Sequence, residues 1–450
     1  MVESLESRFA SVSVKAVVIA ALTVLMLWPL SRVENLVNER QTLQAQAYAV
    51  IAAGFGGSQI LGAPILTVNT QDKKVEMNPS TKARTETWSE GAPLHLFPDD
   101  VQITNEISVE VRSKGIYSVP VYISRVVMTG VFKPEAIASM LLSNADLQVL
   151  PTHAVFQLPL SGVKYLRALT RFEVDGQSVR ATSGEVAGLT ALSTPVELKA
   201  RDELKPLAFR LEFEIAGSES LHFLPLGSHT TVTARVAWPH PDFDGAFLPI
   251  SHEIKPEGYS AKWEVLELNR AYPQIWRGST ITESTLLATA FGVRLFQPSN
   301  VYTQNYRAVR YGILYIAITF ACFFAWEHLV RGLRLHPMQY LLVGLALATF
   351  YLLLLALSEH IGFALSYGVA AAALVALITT YISGATNNRL AALGIGGALA
   401  STYGILYVIL LSDDNALLFG SLLLFAILAA FMVATRRLDW SKVGRENSGQ

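Results

Sequence analysis

A single cysteine, Cys322, is the only thiol in this 450-residue chain, and it falls inside an apolar run. The polar middle of the chain therefore has no disulfide and no cysteine-based metal site. A region of that length can be held together by its core alone. Charge is also scarce. Asp, Glu, Lys and Arg make up 16% of the residues, 35 basic against 36 acidic, for a net charge of −1. Without a basic excess, nothing points to a nucleic-acid partner. Catalytic motifs are missing too: there is no Gly-rich phosphate loop, Gly-x-Ser-x-Gly elbow or His-Glu-x-x-His. His222, His229, His240 and His252 lack zinc-site spacing. No internal repeat or low-complexity tract occurs. No cofactor and no enzymatic activity are expected.

What the chain has in quantity is apolar sequence: 51% hydrophobic residues and a mean hydropathy of +0.37. Five closely spaced runs occupy its last third, at 311–330, 338–357, 361–382, 390–411 and 416–434. Each is close to the ~20 residues that cross a ~30 Å hydrocarbon layer. A sixth run lies at 14–30. Arg8 and Lys15 stand before its apolar stretch as they would in a signal peptide. The small-x-small patterns at Ala45–Ala47 and Ala47–Ala49 come too late for cleavage, after the charged stretch 32–40, so an uncleaved anchor is expected. Trp28 would then sit at the outer interface.

Basic residues set orientation. Arg331 and Arg334 follow the second run, Arg389 follows the fourth, and the tail carries Arg436, Arg437, Lys442 and Arg445. The intervening loops hold Glu359–His360 and Asp413–Asp414 and no Lys or Arg. All positive clusters fall on one side. Both termini are expected in the cytoplasm and the polar middle outside.

In that middle, 33–53 repeats apolar residues at helical spacing: Val33, Leu36, Leu43, Ala47, Val50 and Ile51. The pattern then changes to period two. Phe209, Leu211, Phe213 and Ile215 alternate with Arg210, Glu212 and Glu214. Val232, Ala234, Val236 and Trp238 alternate with Thr231, Thr233, Arg235 and Ala237. Ile107, Val109 and Val111 alternate with Ser108 and Glu110. Such segments are strands with one face on a core and one in water. Many of them, without long helices between, imply a mostly antiparallel, sandwich-like domain. The expected architecture is a membrane protein of α+β class with six spans. A transmembrane anchor helix (1–31) leads to a large antiparallel β-rich domain (32–306), a five-helix transmembrane bundle (307–437) and a cytoplasmic tail (438–450).

His336-Pro337-Met338-Gln339-Tyr340-Leu341-Leu342-Val343-Gly344, followed by Phe350-Tyr351-Leu352-Leu353 and Ser358-Glu359-His360, closely resembles the signature of the CreD family. These are inner-membrane proteins associated with cell envelope integrity. Gln59-Ile60-Leu61-Gly62-Ala63-Pro64, Lys114-Gly115-Ile116-Tyr117, Trp238-Pro239-His240-Pro241, Gly258-Tyr259-Ser260-Ala261-Lys262-Trp263 and Arg307-Ala308-Val309-Arg310 are family-like too, so the resemblance spans nearly the whole chain. Ala63 departs from it, since the family has Gly before Pro64. A positive φ there would strain alanine. The resemblance implies a bacterial inner membrane, a periplasmic location for the β-rich domain and a role in envelope maintenance or stress response under two-component control. It supplies no active site.

Several residues are candidates for function, each with a plainer reading beside it. Glu359 and His360 form a carboxylate–imidazole pair at a membrane face, suited to proton relay or metal binding, or else to a polar loop capping two helices. Glu327 is a candidate coupling-ion carboxylate, with Arg331 placed for an i,i+4 ion pair; His328 lies beside it. His336 and Gln339 open a span behind Pro337. With Arg331 and Arg334, His336 suits lipid headgroups or simple topology control. Trp238 and His240 suit a ligand lip or a rigid strand exit. Gly396, Ala400 and Gly404 allow close helix approach, within the bundle or to a second copy. The interiors of the last four spans offer no Asp, Glu, Lys, Arg or His, which argues against ion-coupled transport. The expected function is a non-enzymatic envelope protein whose outer domain binds an unknown periplasmic or envelope partner. The alternative is a transporter of an apolar or lipid-like substrate, and a membrane enzyme comes last. Expected partners are the bilayer and that unknown partner, with a homo-oligomer left open.

Overall fold

Pro29 divides the N-terminal helix. Its ring excludes the carbonyl of Leu25 and it has no N–H to give. The chain accordingly forms α1 (Val12–Leu25) and α2 (Leu27–Phe55), interrupted only at Met26. The computed structural model describes residues 12–77, 84–142, 147–199, 203–295, 301–329, 335–386, 389–412 and 416–435. Contacts divide the chain into two units, one made of Met1–Ala45 with Ser299–Gln450, the other of Gln46–Pro298. Two short helices, α3 (Pro134–Met140) and α4 (Glu283–Leu287), belong to the second unit. Five long ones follow in the first: α5 (Val301–Leu329), α6 (Pro337–Ile361), α7 (Phe363–Thr386), α8 (Arg389–Leu411) and α9 (Ala416–Thr435).

Among the described residues, five helices are long and apolar enough to cross a membrane. The remaining expected span, 416–434, coincides with α9. The interior of this unit is aromatic. Phe350 lies 4.7 Å from the Tyr403 ring, and the Tyr367 hydroxyl donates to the Tyr403 carbonyl at 2.6 Å. Glycine sets one close approach. A Cβ on Gly344 of α6 would stand 2.8 Å from Phe320 and 2.9 Å from the Met26 sulfur. The residue that interrupts the N-terminal helix is thus packed against α6. On α2 the buried apolar residues are Leu30, Val33, Val37 and Ala47; Leu43 and Val50, expected among them, are exposed.

The second unit is built of three sheets. The eight-stranded sheet carries its core on one face. Trp263, Val232, Ile103, Met128, Leu211 and Phe172 face one another strand to strand in a single row, and all are buried. The next row over, which includes Lys262, Thr104, Glu212 and Arg171, is solvated or half-buried. This is the expected period-two pattern. The six-stranded sheet covers part of that core: Phe156 meets Phe209 at 5.6 Å and Phe172 at 5.9 Å. The four-stranded sheet covers another part through Phe291, 5.9 Å from Trp263. Pairing is mostly antiparallel. Two ladders are parallel: Asp100–Lys114 beside His229–Val236, and Gln59–Gly62 beside Ser220–Leu224. The strand expected to reach Trp238 stops at Val236, because Pro239 cannot donate to a ladder. Ala63 is buried and is not among the residues with positive φ, so alanine there carries no strain. The adjacent Gly62 is the constrained one: a Cβ on it would stand 2.6 Å from Pro159.

Candidate functional site

In the helical unit, polar side chains gather in two layers. The first surrounds Glu327. Lys15 of α1 forms an ion pair with its carboxylate and donates to the Leu335 carbonyl at 2.7 Å. The same carboxylate accepts from the Leu335 N–H at 3.3 Å and from the Tyr340 hydroxyl at 3.3 Å. Glu327 thus ties α1, α5 and the start of α6 together. Beside it, His336 and Gln339 cap α6. The His336 N–H donates to Gln339 Oε1 at 2.8 Å, and His336 Nδ1 accepts from the Met338 N–H at 3.2 Å. Pro337 occupies the first turn, where no donor is missed. Arg331 and Arg334 lie outside the described residues.

The second layer surrounds Glu359. Its carboxylate accepts from the Tyr302 hydroxyl at 3.1 Å and lies 3.6 Å from Arg40 Nε. Next to it the fully buried Asn305 amide donates to the Val301 carbonyl at 2.7 Å and to Ser358 Oγ at 2.8 Å. His360 is exposed, so the carboxylate and the imidazole do not face one site. The two layers are spaced alike on two helical paths. Lys15 to Arg40 and Tyr302 to Glu327 are each 25 residues, about 37 Å at 1.5 Å per residue. Between them, 16–31 and 311–326 carry no Asp, Glu, Lys, Arg or His, while Arg32, Glu34, Glu39, Arg307 and Arg310 lie toward the Glu359 layer.

An apolar groove of about 690 Å³ runs along α7 and α8, lined by small residues such as Gly368, Ala372, Ala376, Ala400 and Gly404. Gly396 has a different use. A Cβ there would stand 2.3 Å from Thr379 Oγ1, so this glycine is spent on α7–α8 packing.

In the β-rich unit, Trp238 is half-buried and packs on the core, and its ring meets the exposed His240 edge-on at 6.1 Å. A depression of about 460 Å³ lies on the water-facing side of the eight-stranded sheet, lined by Glu106, Ser108, Arg235, Ala237, Glu253 and Lys255 among others; Trp238 and His240 follow Ala237 in the chain but do not line it. A second polar group is sealed inside the six-stranded sheet. Thr67 Oγ1 donates to Gln157 Oε1 at 2.6 Å, and the Gln157 amide donates to the Glu185 carbonyl at 2.8 Å. The hydroxyl's one proton is therefore engaged, and its contact with His95 Nδ1 at 2.9 Å requires Nδ1 to be the donor. Trp276 stacks on the imidazole at 4.6 Å. Burial holds His95 down at about 4, hence neutral.

The CreD family model, described as an inner membrane protein, matches residues 11–441. The chain belongs to the CreD family. The inner membrane protein CreD of Escherichia coli (strain K12) is 29% identical to it over 434 residues, which covers 92% of this chain and 91% of that relative. Family and apolar helices together make this a multi-pass inner-membrane protein of the CreD type.

In this CreD-family chain, several polar residues at the two layers escaped sequence reading. Lys15 reads as a flanking charge, yet it is the cation of Glu327. Arg40, Tyr302 and Asn305 lie in stretches without a motif. Only Ser358-Glu359-His360 marked the second layer in advance, by its resemblance to the family.

Proposed function

We propose that this chain is an inner-membrane protein with both termini in the cytoplasm and its β-rich unit in the periplasm. It contributes to envelope integrity by binding a partner through that unit. The observation that carries the reading is the distribution of charge in the helical unit. Ionic groups flank an apolar stretch on both helical paths, and two ion pairs, Lys15–Glu327 and Arg40–Glu359, hold helices together. That arrangement suits an anchor rather than an ion-coupled carrier. Arg331 and Arg334 follow Glu327 in the sequence, which supports assignment of its layer to the cytoplasmic side. The periplasmic unit offers the depression on its eight-stranded sheet as its binding surface.

Photo-crosslinking tests this reading. A crosslinking amino acid at Ser108 or Arg235, in whole cells, is expected to capture one specific envelope component. A crosslinker at the exposed Thr87, on another sheet, is expected not to. Equal capture from both positions, or none from the depression, contradicts the reading.

The groove along α7 and α8 favours the alternative of a carrier for an apolar or lipid-like substrate. Bulky substitutions there, such as Gly368→Leu, are expected to leave the envelope phenotype intact under the binding reading. Loss of function at normal protein level would move the assignment to the carrier.

A further inference from the structure

We propose that the strand Ser251–Lys255 joins two copies of this chain, edge to edge and antiparallel. Among the described residues this strand is a margin of the eight-stranded sheet, paired on one side only, with Gly258–Leu266. All five of its residues are exposed. Leu248, Ile250 and Ile254 recur at even positions and are 72%, 60% and 52% exposed, with His252 between them. His252 lies 5.5 Å from the Phe243 ring, and Phe243 lies 5.9 Å from the core residue Trp263. The apolar row therefore continues the core-facing side of the sheet past its cover. An open margin with an apolar row is a template for an added strand. The opposite margin of the same sheet, Gln177–Ser178, is two residues long and offers almost no ladder.

Charge selects the occupant. Glu253 and Lys255 flank Ile254, and within one copy Lys255 Nζ lies 3.0 Å from Glu253 Oε1. A two-fold axis through Ile254 places Glu253 opposite the partner's Lys255 and Lys255 opposite the partner's Glu253. The order Glu-Ile-Lys is self-complementary when read antiparallel, as an isologous interface requires, and opposite charges directly across a ladder are favourable. Single charges on an edge ordinarily discourage pairing; here the two signs match across the axis. Pro256 ends the strand, so the contact is short. Confinement of both copies to one bilayer raises their effective concentration and makes a short contact sufficient.

The test is disulfide trapping of full-length protein in native membranes, with Cys322→Ala to remove the natural thiol. Ile254→Cys is expected to form a homodimer under mild oxidant, and Gln177→Cys at the opposite margin to remain monomeric. Adding Glu253→Lys is expected to reduce the Ile254→Cys dimer roughly threefold or more, and Glu253→Lys with Lys255→Glu to restore it. A monomeric Ile254→Cys protein, equal dimer from Gln177→Cys, an adduct with a different protein, or a yield indifferent to Glu253→Lys would each overturn the proposal.

Discussion

Glu327 and Lys15 show what a single residue contributes here. Both side chains are largely withdrawn from water, at 9% and 15% exposure. Removing one partner leaves the other charge buried, whereas removing both need not. Glu327→Gln is expected to cost on the order of 3 kcal/mol, read as a lowered unfolding temperature in detergent. Lys15→Met with Glu327→Leu is expected to recover most of it. An additive double variant would contradict the pairing. His95 makes a pH prediction. Its folded value of about 4 lies below the ordinary 6.5 because burial disfavours the cation. Between those values the unfolded chain binds a proton that the folded unit does not. Stability is therefore full above about pH 6.5 and falls toward pH 4, by roughly 3 kcal/mol in all. Unfolding curves of the full chain at pH 7 and pH 5 should differ accordingly, and His95→Gln should flatten the difference.

Among the elements, local pattern was legible and long-range pairing was not. Phe209 to Ile215 alternates in the chain because the eight-stranded sheet buries one face, and the alternation appears in the structure. The parallel ladder between Asp100–Lys114 and His229–Val236 left no local trace, since register between distant strands is set by packing of the whole core. The turn at Asp175–Gly176 is readable, both residues having positive φ. The turn at Ala187–Gly188 is not, because Ala187 adopts a φ of 53° that its side chain disfavours. Ala187→Asn is expected to stabilise the unit by about 1 kcal/mol, read from chemical denaturation. Gly130→Ala is expected to do the reverse by about 1–3 kcal/mol: its Cβ would stand 2.4 Å from the Asp100 carbonyl and from the Phe209 ring. The candidate residues divide in the same way. Spacing along the chain suggested Arg331, which lies outside the described residues, as a cation for Glu327; among the described residues Lys15, 312 residues away, forms an ion pair with it. His336 and Gln339 were marked by their position beside Pro337, and the structure gives them a local task, capping α6.

For the whole molecule, the account rests on a layered charge distribution. Two polar layers lie about 37 Å apart along the helices; the uncharged stretches between them, 16–31 and 311–326, are about 24 Å of helix each, with Arg32 and Arg310 beyond them on the Glu359 side, and the full distance suits a ~30 Å hydrocarbon core with its interfaces. Arg331 and Arg334 follow Glu327 in the sequence, and the β-rich unit occupies the chain between α2 and α5. The central claim is that this unit lies in the periplasm. Single-cysteine labelling tests it most directly. In the Cys322→Ala background, Leu268→Cys, at 92% exposure, marks the β-rich unit, and Arg389→Cys marks the start of α8. With a membrane-impermeant maleimide applied to intact spheroplasts, Leu268→Cys is expected to label fully and Arg389→Cys only after lysis. Labelling of Arg389→Cys in intact spheroplasts, with Leu268→Cys protected until lysis, would contradict it.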